Sequence, residues 1–238
     1  MLRIVRIILA TLSMYVVTHL FVFAVLPAAI LTLYIAPERI PGLKRWFVRC
    51  LFAIVGKELK VTGEGNLEAD HSYVIIANYP SFYAGFALAG TFTRAWIVAH
   101  AFVRRVPLLG QALSRLGAIF VQPGRSGEGM RALEGSLSSL APVPSLIILP
   151  EGQRTPDGLI RGFRRGFIRI LRQTALDLLP VTLNGMYQLK PVRRLYADPA
   201  AKPELVIHEA LRNSEARSMT DDELLHFAEA AISSSYKP

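Results

Sequence analysis

Short runs of aliphatic residues alternate along this chain with longer stretches of helical periodicity. The runs at 73–78 and 145–149 are almost continuous in Val, Ile and Leu, as expected of strands covered on both faces. Further strands are predicted at 57–62, 94–99, 118–122, 178–184 and 204–208. Between them, helices are predicted at 81–90, 108–116, 129–140 and 164–176. Strands alternating with helices imply an α/β fold, a mainly parallel sheet flanked by helices. Thr220 followed by Glu223 is a capping box and opens a closing helix, with Leu224, Phe227 and Ala231 predicted on its inner face.

The first part of the chain has a different pattern. No formally charged residue occurs from Ile7 to Ala36, which is longer than the roughly 20 residues needed to cross a bilayer core. An N-terminal membrane-anchoring helical segment is predicted over 1–56, followed by an α/β domain over 57–238. A secretory leader fits poorly, because its apolar core would be about 7 to 15 residues long and end at a small-x-small site. A second apolar stretch, 46–55, follows Arg39, Lys44 and Arg45. Basic residues on both flanks place both ends, and the α/β domain, on the cytoplasmic side, so a hairpin or re-entrant anchor competes with a single span.

Composition narrows the partners. The chain has 27 basic against 18 acidic residues, a net charge of +9, and 21 of the 27 are Arg, whose planar fork matches phosphate oxygens. No aromatic residues are interleaved with this charge on a sheet or groove, so no nucleic-acid partner is expected. The single cysteine, Cys50, excludes an internal disulfide, and no His or Cys stands at metal-binding spacing, so neither metal nor cofactor is expected.

The chemistry concentrates in Ser145 to Thr155. Pro150 must end the central strand because it lacks an N–H. Glu151, Gly152, Arg154 and Thr155 then stand at the carboxyl end of that strand, where ligands sit in open α/β sheets. An Arg fork beside a glycine suits a phosphorylated polyol. The competing reading is a surface turn in which Glu151 and Arg154 pair with each other.

Leu149 to Thr155 resembles the Phe-Pro-Glu-Gly-Thr-Arg-Ser signature of the lysophosphatidic-acid acyltransferases, the glycerophospholipid acyltransferase family. Other blocks follow in that family's order: Pro107, Gly110 and Gly117 to Val121, then Gly162 to Gly166, then Leu179 to Val181. The resemblance covers roughly Val55 to Glu209. It implies an acyltransferase-like fold with a two-helix membrane-docking element, an acyl donor carried on coenzyme A or an acyl-carrier protein, a lysophospholipid-like acceptor, and contact with membrane lipids. Glu151, Gly152, Arg154, Thr155 and Arg125 are then the candidate acceptor-binding residues.

The family's first block pairs a histidine with an aspartate five positions on. Here Asn78 is followed by Tyr79 where the histidine belongs, and Ala84 stands for the aspartate. An unperturbed phenol, with a pKa near 10, is protonated at neutral pH and cannot replace the base simply. The catalytic residues are therefore unassigned, with His100, at the end of a predicted strand, as a weak candidate for a relocated base. His71, ahead of its strand, is expected at the far end of the sheet, and positions 79 and 84 are expected at a partly solvated strand end. The predicted 164–176 helix carries Arg164, Arg165, Arg169 and Arg172 within a 140° arc at 100° per residue. That stripe is a candidate surface for anionic headgroups. Two functions remain: O-acyl transfer, or a non-catalytic lipid-binding or partner-regulating protein on the same fold.

Overall fold

A computed structural model of the chain describes residues 34–106, 109–121, 143–192, 198 and 200–237, with single positions between 8 and 32 and at 135. All seven predicted strands are present within them: β1 (Lys60–Thr62), β2 (Tyr73–Ala77), β3 (Trp96–His100), β4 (Ile119–Val121), β5 (Leu146–Ile148), β6 (Asp177–Asn184) and β7 (Glu204–Ile207). They form one sheet in the order β1-β7-β6-β2-β5-β3-β4. Neighbours run parallel except at β6 and β7, which are antiparallel. The carboxyl ends of β2, β5 and β6 therefore share one edge of the sheet.

Alternation along the strands separates two apolar layers. Ile75, Ala77, Leu179, Val181 and Leu183 face helices α1 (Ile40–Ile54) and α2 (Tyr83–Thr91). Val74, Ile76, Leu146 and Leu178 face α4 (Gly166–Gln173) and α7 (Asp221–Ser234), through Phe167, Ile170, Leu171, Leu224, Ala228 and Ile232. Each of the Val, Ile, Leu and Phe side chains contributes about 1.5–3 kcal/mol when removed from water, and β2 and β6 are buried along their whole length. Shorter helices are α3 (Leu109–Arg115), α5 (Met186–Leu189) and α6 (Asn213–Ser218).

Three expectations need correction. The predicted 164–176 helix begins only at Gly166, since the Arg164 N–H is given instead to the Pro150 carbonyl at 3.0 Å. Arg164 therefore does not belong to a helical stripe. Arg165 pairs with Asp222 at 2.5 Å, and Arg172 pairs with Asp221 at 3.0 Å and donates to the carbonyls of Ala216, Arg217 and Met219. These two guanidiniums hold α6 and α7 against α4, and Arg169 also has a partner. In α7 the capping box forms as predicted, but the buried face is Leu224, Ala228 and Ile232, with Phe227 half-buried. Of the predicted 129–140 helix only position 135 is described, and it is helical.

Part of the predicted anchor lies outside the described residues, including 16 of the 30 positions from 7 to 36. The described positions up to Ile35 are helical, with Ile8, Leu12, Val16, Phe23, Leu31 and Ile35 exposed. Among the described residues no helix is long and apolar enough to cross a membrane.

His208, just past β7, provides a pH test of the fold. Its Nε2–H donates to Thr182 Oγ1 at 2.8 Å, since the Thr182 hydroxyl itself donates to the Ile232 carbonyl. Burial lowers the imidazole pKa below its usual 6.5. The unfolded chain thus takes up this proton first, so the contribution to stability is full above about pH 6.5 and is lost as pH falls through the lower folded value. His208→Gln should flatten the drop in unfolding midpoint between pH 7.5 and pH 5; an identical drop in the variant would remove His208 from the account.

Candidate functional site at the carboxyl edge of the sheet

Because β2 and β5 are parallel neighbours, with Ile76 beside Ile148, the segments leaving them emerge side by side. The first is Asn78-Tyr79-Pro80-Ser81 and the second is Leu149-Pro150-Glu151-Gly152. Asn78 is buried and both ends of its amide bind the main chain of Leu183, at 2.7 and 3.0 Å, fixing the exit of β2 to β6.

Glu151 joins the two segments. It is 4% exposed, and one carboxylate oxygen accepts the Tyr79 N–H at 2.5 Å while the other accepts the Arg161 N–H at 3.0 Å. Burial pushes its pKa up, and the two N–H groups partly offset this. The Thr155 N–H is returned to the Tyr79 carbonyl at 3.0 Å. The surface-turn reading therefore fails: Glu151 does not pair with Arg154, and Arg154 stands exposed.

Thr155 also departs from expectation. It is 2% exposed, its hydroxyl donates to Asp157 at 2.7 Å and accepts the Gly158 N–H at 3.1 Å, so it shapes the turn from within. Asp157, which also binds Arg161 at 2.8 Å, has its pKa lowered chiefly by the Thr155 hydroxyl. Two tyrosines brace the same loop from behind. Tyr187 donates to the Pro156 carbonyl at 3.0 Å, and Tyr236 donates to the Gly158 carbonyl. Burial first, then the nearby Glu151 charge, push the Tyr236 phenol up to about 12. Neither tyrosine carries a motif around it in the sequence.

Above this turn lies Tyr79, half-buried, its phenol pKa raised by burial and drawn partly back by the Arg154 guanidinium. It is protonated at neutral pH, so it can donate a hydrogen bond but cannot accept the proton of an attacking hydroxyl. Ala84, in the first turn of α2, is fully buried in the apolar layer, which corrects the expectation of a partly solvated position. Ser81 is equally buried, its oxygen accepting the Tyr83 N–H at 3.3 Å.

The other histidines do not fill the gap. His100 ends β3, two strand spacings from β2, or about 10 Å, and its Nδ1 accepts the Phe102 N–H at 3.0 Å. The neutral ring then carries hydrogen on Nε2 and has no free nitrogen to act as a base. His71 lies at the opposite edge, as predicted, bound to Asp177 at 2.8 Å. Arg125 lies outside the described residues. Among the described residues no group of His, Cys, Asp and Glu is arranged to hold a metal ion. A cavity of about 670 Å³, lined by Lys57, Lys60, Gln188, Glu204 and Lys237, opens at the β1–β7 edge and does not include the Glu151 turn.

A family profile described as Acyltransferase matches residues 58–184, just over half of the chain. The chain is 21% identical over 174 residues to a chloroplastic 1-acyl-sn-glycerol-3-phosphate acyltransferase of Arabidopsis thaliana, covering 73% of this chain and 49% of the relative. It is 24% identical over 214 residues to a 1-acyl-sn-glycerol-3-phosphate acyltransferase of Chlamydomonas reinhardtii, covering 87% and 62%. The chain thus spans about half to three-fifths of the length of these curated relatives. The crystal structure of the 1-acyl-sn-glycerophosphate acyltransferase PlsC from Thermotoga maritima shares the fold, with a TM-score of 0.81 at 24% identity over 97% of this chain and 94% of that one.

Proposed function

The chain belongs to the acyltransferase family, and from that premise we propose that it is a membrane-bound glycerophospholipid acyltransferase-type protein, binding an acyl thioester donor and a lysophospholipid-like acceptor. The observation that carries this reading is the turn held by Glu151, which presents the exposed Arg154 fork beside Tyr79 at the carboxyl edge of the sheet. The acceptor's phosphate would sit on Arg154. Its hydroxyl oxygen would attack the thioester carbonyl, forming the ester as the C–S bond breaks and the thiol leaves.

That step needs a base for the hydroxyl proton and donors for the oxyanion. A neutral Tyr79 can supply a donor but no base, and Ala84 orients nothing. Loss of a base and its orienting partner costs on the order of 10⁴- to 10⁶-fold at the base-and-carboxylate sites of unrelated hydrolases. The second reading, a non-catalytic lipid-binding or partner-regulating protein on the same fold, draws its support from these two positions.

The test uses the full chain. It should pellet with membranes through an alkaline carbonate wash, bind both lysophosphatidic acid and acyl donor, and transfer radiolabelled acyl groups far more slowly than about 1 per second. Turnover above that rate would eliminate the non-catalytic reading. Failure to bind either ligand would remove the acyltransferase one, and release by carbonate would remove the integral anchor.

A further inference from the structure

We propose that Arg164 is the second arm of a two-guanidinium clamp that closes on the phosphate monoester of the acceptor, a proposal that rests on the reading of the Glu151 turn as the acceptor site. Gly152, at φ +72°, lies under this side chain. A Cβ added there would stand 3.0 Å from Arg164 Cζ and 3.1 Å from its Nε. The guanidinium therefore lies against the turn itself, and its backbone is tied there by the N–H given to Pro150 at 3.0 Å. Arg154 leaves the same turn two residues after Gly152, with its charge felt at the Tyr79 phenol.

Around this turn these two arginines differ from Arg161, Arg165 and Arg172 in lacking a counter-charge. Arg161, Arg165, Arg172 and Arg212 all pair with carboxylates. Arg154 and Arg164 are both exposed, and among the described residues neither guanidinium makes a hydrogen bond or an ion pair. The carboxylates nearest to them in the turn are already engaged: Glu151 lies beneath it with both oxygens on main-chain N–H groups, and Asp157 is held by Thr155 and Arg161. An anion standing between two unneutralised forks is drawn by both, and a phosphate monoester, with up to two charges and three free oxygens, suits two planar forks. The same facts remove Arg164 from a general headgroup-binding stripe, since Arg165 and Arg172 are engaged within the fold.

The test is calorimetric binding of a short-chain 1-acylglycerol 3-phosphate, and of the same monoacylglycerol without phosphate, to the full chain in micelles. Arg164→Ala should weaken binding of the phosphorylated ligand by about 10- to 100-fold and leave the neutral one unchanged. Arg164→Lys, which keeps the charge and loses the fork, should fall between. Arg164→Gln, which keeps the stem over Gly152, should match Arg164→Ala if packing is not the cause. Loss with Arg154→Ala but not with Arg164→Ala overturns the clamp and leaves the acceptor site standing; no loss with either overturns both. Equal loss for both ligands, or loss appearing only on phosphatidylglycerol vesicles, would assign Arg164 to packing or to a lipid surface and overturn the clamp.

Discussion

Ala84→Asp made alone should cost the fold about 3–5 kcal/mol, and Tyr79→His made with it should recover a large part of that loss. Ala84 has no exposed surface and lies in the same apolar layer as Ala87 and Leu88. A carboxylate there has no cation waiting, so it must either ionise in a dry site or fold protonated. An imidazole at position 79 is the partner that the family pattern supplies five residues earlier. Denaturant unfolding of the wild type, both single variants and the double variant gives the coupling directly, expected at about 2–3 kcal/mol in favour of the pair. Additive losses would mean that the two side chains do not meet. Acyl transfer should rise only in the double variant, because a histidine without its carboxylate lacks a fixed tautomer.

Glu151→Ala should be nearly as damaging, by a different route. It strands the N–H groups of Tyr79 and Arg161 at a part-buried site, and each unsatisfied donor costs up to about 1–3 kcal/mol. The exits of β2 and β5 would lose their common tie, so ligand binding should fall along with the unfolding midpoint. Glu151→Gln has the same shape but offers one oxygen and one amide nitrogen to two donors. It should retain roughly half of the lost stability, and full stability in Glu151→Gln would show that the second contact is dispensable.

The seven strands were legible because each is a compact apolar run, and the closing helix because Thr220 and Glu223 mark its first turn. The Glu-Gly turn was legible as a site because Pro150 stops a buried strand and Gly152 permits the bend. The use to which Glu151 is put was not. Its partners are the main chain of residues 79 and 161, brought there by a parallel pairing that local pattern does not reveal. The arginine stripe misled for a related reason: spacing alone satisfied a helical wheel, while the pairings of Arg165 and Arg172 with Asp222 and Asp221 span about fifty residues. Tyr236 braces the loop across an even longer separation. Sequence carries the period of an element more readily than the identity of what will be packed against it.

Glu151 grips the amide of residue 79 and not its side chain. Any amino acid except proline offers that amide, so the tie between the two segments is indifferent to what position 79 displays, and only the packing of a half-buried side chain and selection for chemistry can guard it. Position 84 is different, because an acid there is tolerated only after a partner exists. A lineage regaining the constellation would therefore have to travel in one direction, tyrosine to histidine first and alanine to aspartate second. A lineage losing it would be pressed to shed the acid soon after the base.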